Sequence, residues 1–154
     1  MKITFILLIF SLNSYSDISK DLNNFFLNEL SFIQTTQNQP NDIIGVSKGI
    51  YTKNSDNSIF VEVYEPFKES YLINNNRIEI HDLEFNQIKR IRLDKINESF
   101  LINFLINGFP ENFKNKINEK QIEFSIDFIN NNTLEIKFKD NMDIENIIKF
   151  KKND

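Results

Sequence analysis

The spacing of hydrophobic residues differs between two parts of the chain. From residue 17 to about residue 37, apolar side chains recur at intervals of three and four residues, the spacing that places them on one face of an α-helix. The apolar positions are Ile18, Leu22, Phe25, Phe26, Leu30 and Ile33. The segment Gln39-Pro40-Asn41 that follows is typical of a turn. The pattern therefore predicts one N-terminal amphipathic helix that ends before Pro40.

Beyond residue 43, apolar and polar residues alternate, as in strands with one buried face. Predicted strands cover residues 43–51, 59–64, 71–73, 78–81, 86–94, 122–128, 134–139 and 146–150. The segment 86–94 breaks the alternation once, which predicts a β-bulge. Asparagine runs at residues 74–76 and 130–132 predict hairpin turns, because Asn tolerates the left-handed conformation that such turns need.

Two segments between the strands lack alternation. Residues 97–107 (NESFLINFLIN) predict a short helix, with Asn97 as its N-cap and Gly108 as its stop. Residues 109–120 are polar and rich in lysine, which predicts a loop.

These elements predict an α+β fold. Strands that are apolar on one face and charged on the other form an antiparallel sheet with one covered face. We expect about six to nine strands, curled into an incomplete barrel and covered by the N-terminal helix and the short internal helix. Neither a repeat nor a linker divides residues 17–154, so one domain is predicted.

The first residues have the three-part organisation of a secretory signal peptide. Lys2 precedes the apolar run of residues 3–12, and Ser14 and Ser16 supply a small-x-small cleavage pattern. The run is shorter than the roughly 20 residues needed to span a bilayer. We expect residues 1–16 to be removed and residues 17–154 to be exported.

Composition narrows the classes of function. The formal net charge is −4, which argues against a nucleic-acid partner, because phosphates require a basic face. The chain contains no cysteine, which excludes disulfides and thiolate metal sites. Stability must then come from packing, for which the 16 phenylalanines are suited.

No constellation of residues predicts catalysis. His81 is the one histidine and stands beside Asp82, where a surface role is the simpler interpretation. The acidic segment 140–145 lacks the glycine and regular spacing of a calcium loop. We expect neither an enzyme nor a bound cofactor or metal.

Several short segments, in their order and spacing, are similar to those of the LolA family of periplasmic lipoprotein carriers. The most specific is residues 80–88 (IHDLEFNQI), which resembles the family's Y-D-x-x-L-x-Q-V segment at Asp82, Gln87 and Ile88. The others are Phe32-Ile33-Gln34-Thr35, Gly49-Ile50-Tyr51 and Tyr64-Glu65-Pro66. The resemblance covers most of residues 18–109 and, more loosely, residues 122–150.

The resemblance implies a soluble periplasmic monomer that shields lipoprotein acyl chains between the inner and outer membranes. It also implies two partners, an inner-membrane lipoprotein-releasing transporter and an outer-membrane receptor. One family motif is absent: the basic-Arg-Pro segment, whose arginine is implicated in closing the helix onto the barrel. Asn54-Ser55-Asp56 stands in its place, and Lys53 is the nearest cation.

The resemblance also implies a cavity between helix and sheet. The predicted lid is formed by Leu22, Phe25, Phe26, Leu30 and Ile33. The predicted walls are Ile59, Val61, Val63, Tyr71, Ile73, Ile78, Ile80, Phe124, Ile126, Phe128, Ile136 and Phe138. Two alternatives stay open: a binder of another amphiphile, such as a free lipid or glycolipid, on the same scaffold, and an interaction domain whose apolar residues form only core.

Overall fold

A computed structural model describes residues 18–40, 42–95, 99–119, 123–140 and 142–153. The predicted signal peptide and the predicted N-cap Asn97 lie outside these residues. The helices are α1 (Ile18–Phe25), α2 (Ser99–Asn107) and α3 (Phe113–Glu119), with a 3-10 turn at Leu93–Lys95. The strands are β1 (Leu30–Gln37), β2 (Ile43–Lys53), β3 (Ile59–Glu65), β4 (Glu69–Ile73), β5 (Arg77–Asp82), β6 (Gln87–Arg92), β7 (Phe124–Asn130), β8 (Thr133–Lys139) and β9 (Glu145–Lys152).

The strands form a single antiparallel sheet of nine strands in the order β6-β5-β4-β3-β2-β1-β9-β8-β7. Most neighbours in the sheet are consecutive in the chain, because short turns join antiparallel strands. The exception is β1, which pairs with β9 on one side and β2 on the other. The sheet is open, since β6 and β7 stand at its two edges. The prediction of an antiparallel sheet accompanied by helices is confirmed.

The predicted N-terminal helix is much too long. Helix α1 ends at Phe25, and the residues from Leu30 onward form a strand rather than the last turns of the helix. Leu30 and Ile33 fit a helical spacing, but Leu30 and Phe32 also fit the alternation of a strand, and both are buried. Pairing of β1 with two neighbouring strands satisfies its backbone on both sides, which outweighs the local helical pattern. The Gln39-Pro40 segment accordingly lies between two strands, where it does not end a helix.

Two further predictions are wrong. Residues 113–119, predicted as loop, form helix α3, because Phe113 and Ile117 are one turn apart and both are buried. The predicted bulge in β6 is absent, since β5 and β6 pair in continuous register. The break in alternation has a simpler cause: Ile91 lies opposite Ile78, whereas Ile88 lies on the other face and is exposed.

The sheet has one apolar face, defined by the side chains that share a face with Leu30, Tyr51 and Val61. Cross-strand register and the alternation of side chains place the buried apolar residues of the strands on it. The opposite face, called the outer face here, carries ion pairs such as Glu79–Arg90 and Glu135–Lys137.

The helices are short, and none in the described ranges has the length and apolar character to cross a membrane. Helix α2 ends as predicted at Gly108, whose φ of 91° is readily adopted by glycine alone. The Gly108 amide donates to the carbonyl of Phe104 at 2.8 Å, which closes the last turn.

Candidate functional site

The space beneath α1 is filled by side chains. Leu22, Phe25 and Phe26, all predicted lid residues, are at most 2% exposed. The ring centroid of Phe26 lies 5.6 Å from that of Tyr51 and 5.3 Å from that of Phe150, in edge-to-face contacts. In this conformation the described residues of α1 pack on the sheet as core.

The two remaining lid predictions need correction, because both residues lie on β1 and not on a helix. Leu30 lies on the apolar face and is fully buried. Ile33 lies on the outer face and is 47% exposed, so it cannot share a cavity with the others. The alternation of β1 separates them, since residues three apart on a strand point to opposite faces.

All twelve predicted wall residues lie on the apolar face of the sheet. They divide by exposure into two groups. Four are buried in the core, namely Ile59, Ile78, Ile126 and Ile136. The other eight are partly buried against that core: Val61, Val63, Tyr71, Ile73, Ile80, Phe124, Phe128 and Phe138.

Four of these partly buried residues, Val61, Val63, Tyr71 and Ile73, line a cleft of about 360 Å³. Its other lining residues, which the sequence did not single out as site residues, are Phe32, Gln34, Ser47, Pro66, Phe67 and Glu69. The volume falls in the range of about 300–1,000 Å³ typical of small-molecule sites. Because four predicted wall residues line it, this cleft is the candidate site.

Phe32 supplies the floor of the cleft on β1. It lies directly across from Gly49 of β2, and a methyl group at Gly49 would come within 2.6 Å of the Phe32 ring. Glycine is needed here because only hydrogen leaves room for the ring. The sequence indicates this close approach, because a glycine inside an alternating strand often marks a place where another group comes near the backbone.

One end of the cleft is polar. Gln34 donates through Nε2 to Oδ1 of the buried Asn146 at 3.0 Å, and Thr36 donates to the same oxygen at 3.2 Å. On β4, the Tyr71 hydroxyl donates to the carboxylate of Glu69. Burial, reinforced by this carboxylate, raises the pKa of Tyr71, so its hydroxyl stays protonated at neutral pH. The cleft thus has an apolar floor and a polar end.

Lys53 joins helix α2 to the apolar face. Its ammonium donates to the carbonyl oxygens of Leu105 and Ile106 at 2.8 Å and 3.0 Å. These carbonyls lie in the last turn of α2, where cations are favoured by the helix dipole. Burial lowers the pKa of Lys53, which reflects the cost of holding a charge there. The sequence identified Lys53 only as the nearest cation to the absent arginine.

A second set of bonds joins α1 to the end of α2. The Asn23 side chain accepts from the Phe109 amide at 2.7 Å and donates to the Phe109 carbonyl at 3.0 Å. The buried Ser19 hydroxyl donates to the same carbonyl. Through the Phe109 backbone, α1 and α2 are held together as one unit.

The Tyr51 hydroxyl is buried without a hydrogen-bond partner among the described residues. An unsatisfied buried hydroxyl costs about 1–3 kcal/mol. Desolvation also raises the pKa of Tyr51. The Tyr51 ring, in contrast, is well packed between Phe26 and Phe150.

We therefore expect Tyr51→Phe to raise the free energy of unfolding by about 1 kcal/mol. The substitution removes the buried hydroxyl, which has no partner among the described residues, and keeps the packed ring. Urea denaturation followed by circular dichroism would measure this. Tyr71→Phe is the matched control, because its hydroxyl is bonded to Glu69 and its loss should not stabilise the fold. A decrease in stability for Tyr51→Phe would contradict the assignment.

The lone histidine lies away from the cleft lining. Its Nε2 is 3.0 Å from Oδ1 of Asn86 across the exposed turn between β5 and β6. Asp82, beside it in sequence, accepts from the backbone amides of Glu84 and Phe85 in the same turn. Within the described ranges, no group of three or more His, Asp or Glu side chains could hold a metal ion.

Comparison with known proteins adds no assignment to this geometry. No protein-family model matches the chain, and no curated protein matches it.

Proposed function

We propose that this protein is a non-catalytic carrier that binds the acyl chain of an amphiphile in the cleft of the apolar face. The most specific form of the proposal is a LolA-like carrier that takes lipoproteins from an inner-membrane transporter to an outer-membrane receptor. Export through a cleavable signal peptide to the periplasm belongs to the same proposal.

The observation that carries the proposal is the amphipathic lining of the cleft. Phe32, Val61, Val63, Tyr71 and Ile73 offer an apolar floor, and Gln34, Ser47 and Glu69 offer polar atoms at one end. Each acyl methylene removed from water contributes about 0.8 kcal/mol, so such a floor suits a hydrocarbon chain. The polar end suits the head group of the same molecule.

A cleft of 360 Å³ would hold part of a long chain, so the carrier needs to open. In our proposal the sheet curls as an incomplete barrel, and α1 and α2 form its movable cover. Lys53 holds this cover closed by donating to the carbonyls of Leu105 and Ile106. In the family that the chain resembles, an arginine is implicated in this closing role. Outward movement of Phe25 and Phe26 would then extend the apolar floor toward Leu30 and Tyr51.

We expect Val63→Trp to weaken binding of an acyl ligand by about tenfold or more, because the indole would fill the cleft. Val63 lies on the apolar face between Gly49 and Glu69. Binding would be measured by displacement of a fluorescent fatty-acyl probe, first with a synthetic diacylated lipopeptide and then with a free fatty acid.

Val46→Trp is the matched control. Val46 is on β2, faces away from the cleft and is 42% exposed, so the same substitution there should leave the affinity unchanged. Equal weakening by both variants, or none by Val63→Trp, would contradict the proposed site. Preference for the free fatty acid over the lipopeptide would favour the alternative, a carrier of another amphiphile. If the wild-type protein bound neither ligand, an interaction domain with an ordinary core would be the better description.

A further inference from the structure

The charged groups near the cleft are distributed unevenly. Among the residues that line it, Glu69 is the single charged side chain, and no lysine or arginine is present. In the part of the chain that the structure describes, Glu69 forms no ion pair with a basic residue. The carboxylate is partly buried at an edge of apolar floor, where a charge interacts more strongly than in bulk water.

The geometry around Glu69 keeps its carboxylate in place. Glu69 lies on the apolar face, directly across from Val63 on β3 and Asp82 on β5. The Tyr71 hydroxyl, two residues along the same strand, donates to one carboxylate oxygen and leaves the other available. Glu69 and Asp82 therefore stand as two neighbouring acidic residues on the apolar face.

The other polar atoms at this end can accept from a ligand as well as donate to it. Gln34 uses one of its two Nε2 hydrogens on Asn146 and keeps its carbonyl oxygen available, and the Ser47 hydroxyl can accept as well as donate. A head group that donates to Glu69 can therefore also donate to these two oxygens. An anionic head group would face Glu69 unfavourably, because like charges at a partly desolvated site repel.

We propose that Glu69 selects amphiphiles whose head group carries an ammonium, held by the Glu69 carboxylate while the acyl chain lies on Val61, Val63 and Ile73. This inference rests on the proposed acyl-binding function and specifies its ligand class. Two classes of amphiphile present the same ammonium group. One is a lipid-modified polypeptide with a free N-terminal amine, and the other is an aminophospholipid. Charge-assisted hydrogen bonds of this kind are stronger than neutral ones.

The test compares ligands that differ only at the amine. A diacylated lipopeptide with a free N-terminal amine is compared with its N-acetylated form, and lysophosphatidylethanolamine with its N-acetyl derivative. Displacement of a fluorescent acyl probe gives the dissociation constants. The wild-type protein should bind the free amine about tenfold more tightly than the acetylated form in at least one pair. The pair that shows this preference identifies the source of the amine.

Glu69→Gln should abolish the preference by weakening binding of the free amine to the level of the acetylated form, since the side chains have the same shape and only the charge is lost. Glu62→Gln is the control: it removes the same charge from the outer face of β3, where Glu62 is exposed, and should keep the preference. The inference is overturned if wild type binds free and acetylated forms equally well, or if Glu69→Gln still discriminates between them. If neither form displaces the probe from wild type, the acyl-binding function itself fails and the inference fails with it.

Discussion

Replacing Phe26 with alanine should lower the free energy of unfolding by about 3–5 kcal/mol, the largest effect expected for this chain. The Phe26 ring is 2% exposed and contacts the rings of Phe25, Tyr51, Phe109 and Phe150. Its removal would leave a cavity where the end of α1 meets the sheet and the α2–α3 connection. Because domains of this size have only about 5–15 kcal/mol of net stability, the variant would be marginal at physiological temperature.

Leu27→Ala provides the control for Phe26→Ala. Leu27 is the next residue in the chain and is 66% exposed, so its truncation should change stability by less than about 0.5 kcal/mol. Both variants would be compared by urea denaturation with the same probe of secondary structure. Similar effects from the two truncations would show that Phe26 does not occupy the packed position described above.

Replacing Lys53 with methionine should lower the free energy of unfolding by about 1–2 kcal/mol and, at the same time, strengthen acyl binding. The first effect follows because two carbonyls at the end of α2 lose a charged donor. Removal of a partly desolvated charge offsets some of this loss. The second effect follows from the proposed function: if Lys53 holds the cover closed, its loss raises the open population that binds ligand.

Opening can be measured directly as faster hydrogen exchange of the α2 amides in Lys53→Met. Lys48→Met is the matched control, because Lys48 forms a solvent-exposed pair with Glu65 at 2.7 Å, away from α2. Such a pair contributes about 0–1 kcal/mol, and its loss should leave both α2 exchange and acyl affinity unchanged. If Lys53→Met lost acyl affinity and kept slow α2 exchange, the closing role of Lys53 would be wrong.

These expectations place opposing demands on the residues beneath α1. Phe26 stabilises the fold only while α1 is packed on the sheet, whereas the proposed carrier must release α1 to lengthen its floor. The Tyr51 hydroxyl, which has no hydrogen-bond partner in the described part of the chain, lies beneath the same residues and makes the packed state less stable than it could be. A packed state of limited stability is compatible with a cover that opens when ligand is present.

Much of the sheet could be predicted from sequence because its two faces meet different surroundings. Ile59, Val61 and Val63 alternate with residues that face away from the core, and this contrast is recorded in the residues themselves. Helix α3 was missed because only Phe113 and Ile117 mark its buried side in a polar segment. Their burial depends on neighbours such as Phe104 and Phe109, which local spacing does not reveal.

The candidate site was predicted in part for the same reason. The predicted residues of the cleft belong to clearly alternating strands: Val61, Val63, Tyr71 and Ile73. Phe32 and Gln34 were missed because the sequence placed them in the overlong N-terminal helix. Nothing in the sequence marked Glu69 as a site residue, because a glutamate on a strand ordinarily points its carboxylate into solvent. Its position on the apolar face follows from the pairing of β4 with β3 and β5.

The sequence by itself determined which residues share a face in the clearly alternating strands β3, β5, β7 and β8, since a period of two is a property of neighbouring positions. It also determined an antiparallel, cysteine-free domain whose stability depends on aromatic and aliphatic packing. Only the tertiary structure decided where α1 ends, that β1 pairs with β9, and which part of the apolar face forms the cleft. The physical reason is that these outcomes depend on contacts between residues far apart in the chain, such as Leu30 with Lys152 and Lys53 with Ile106.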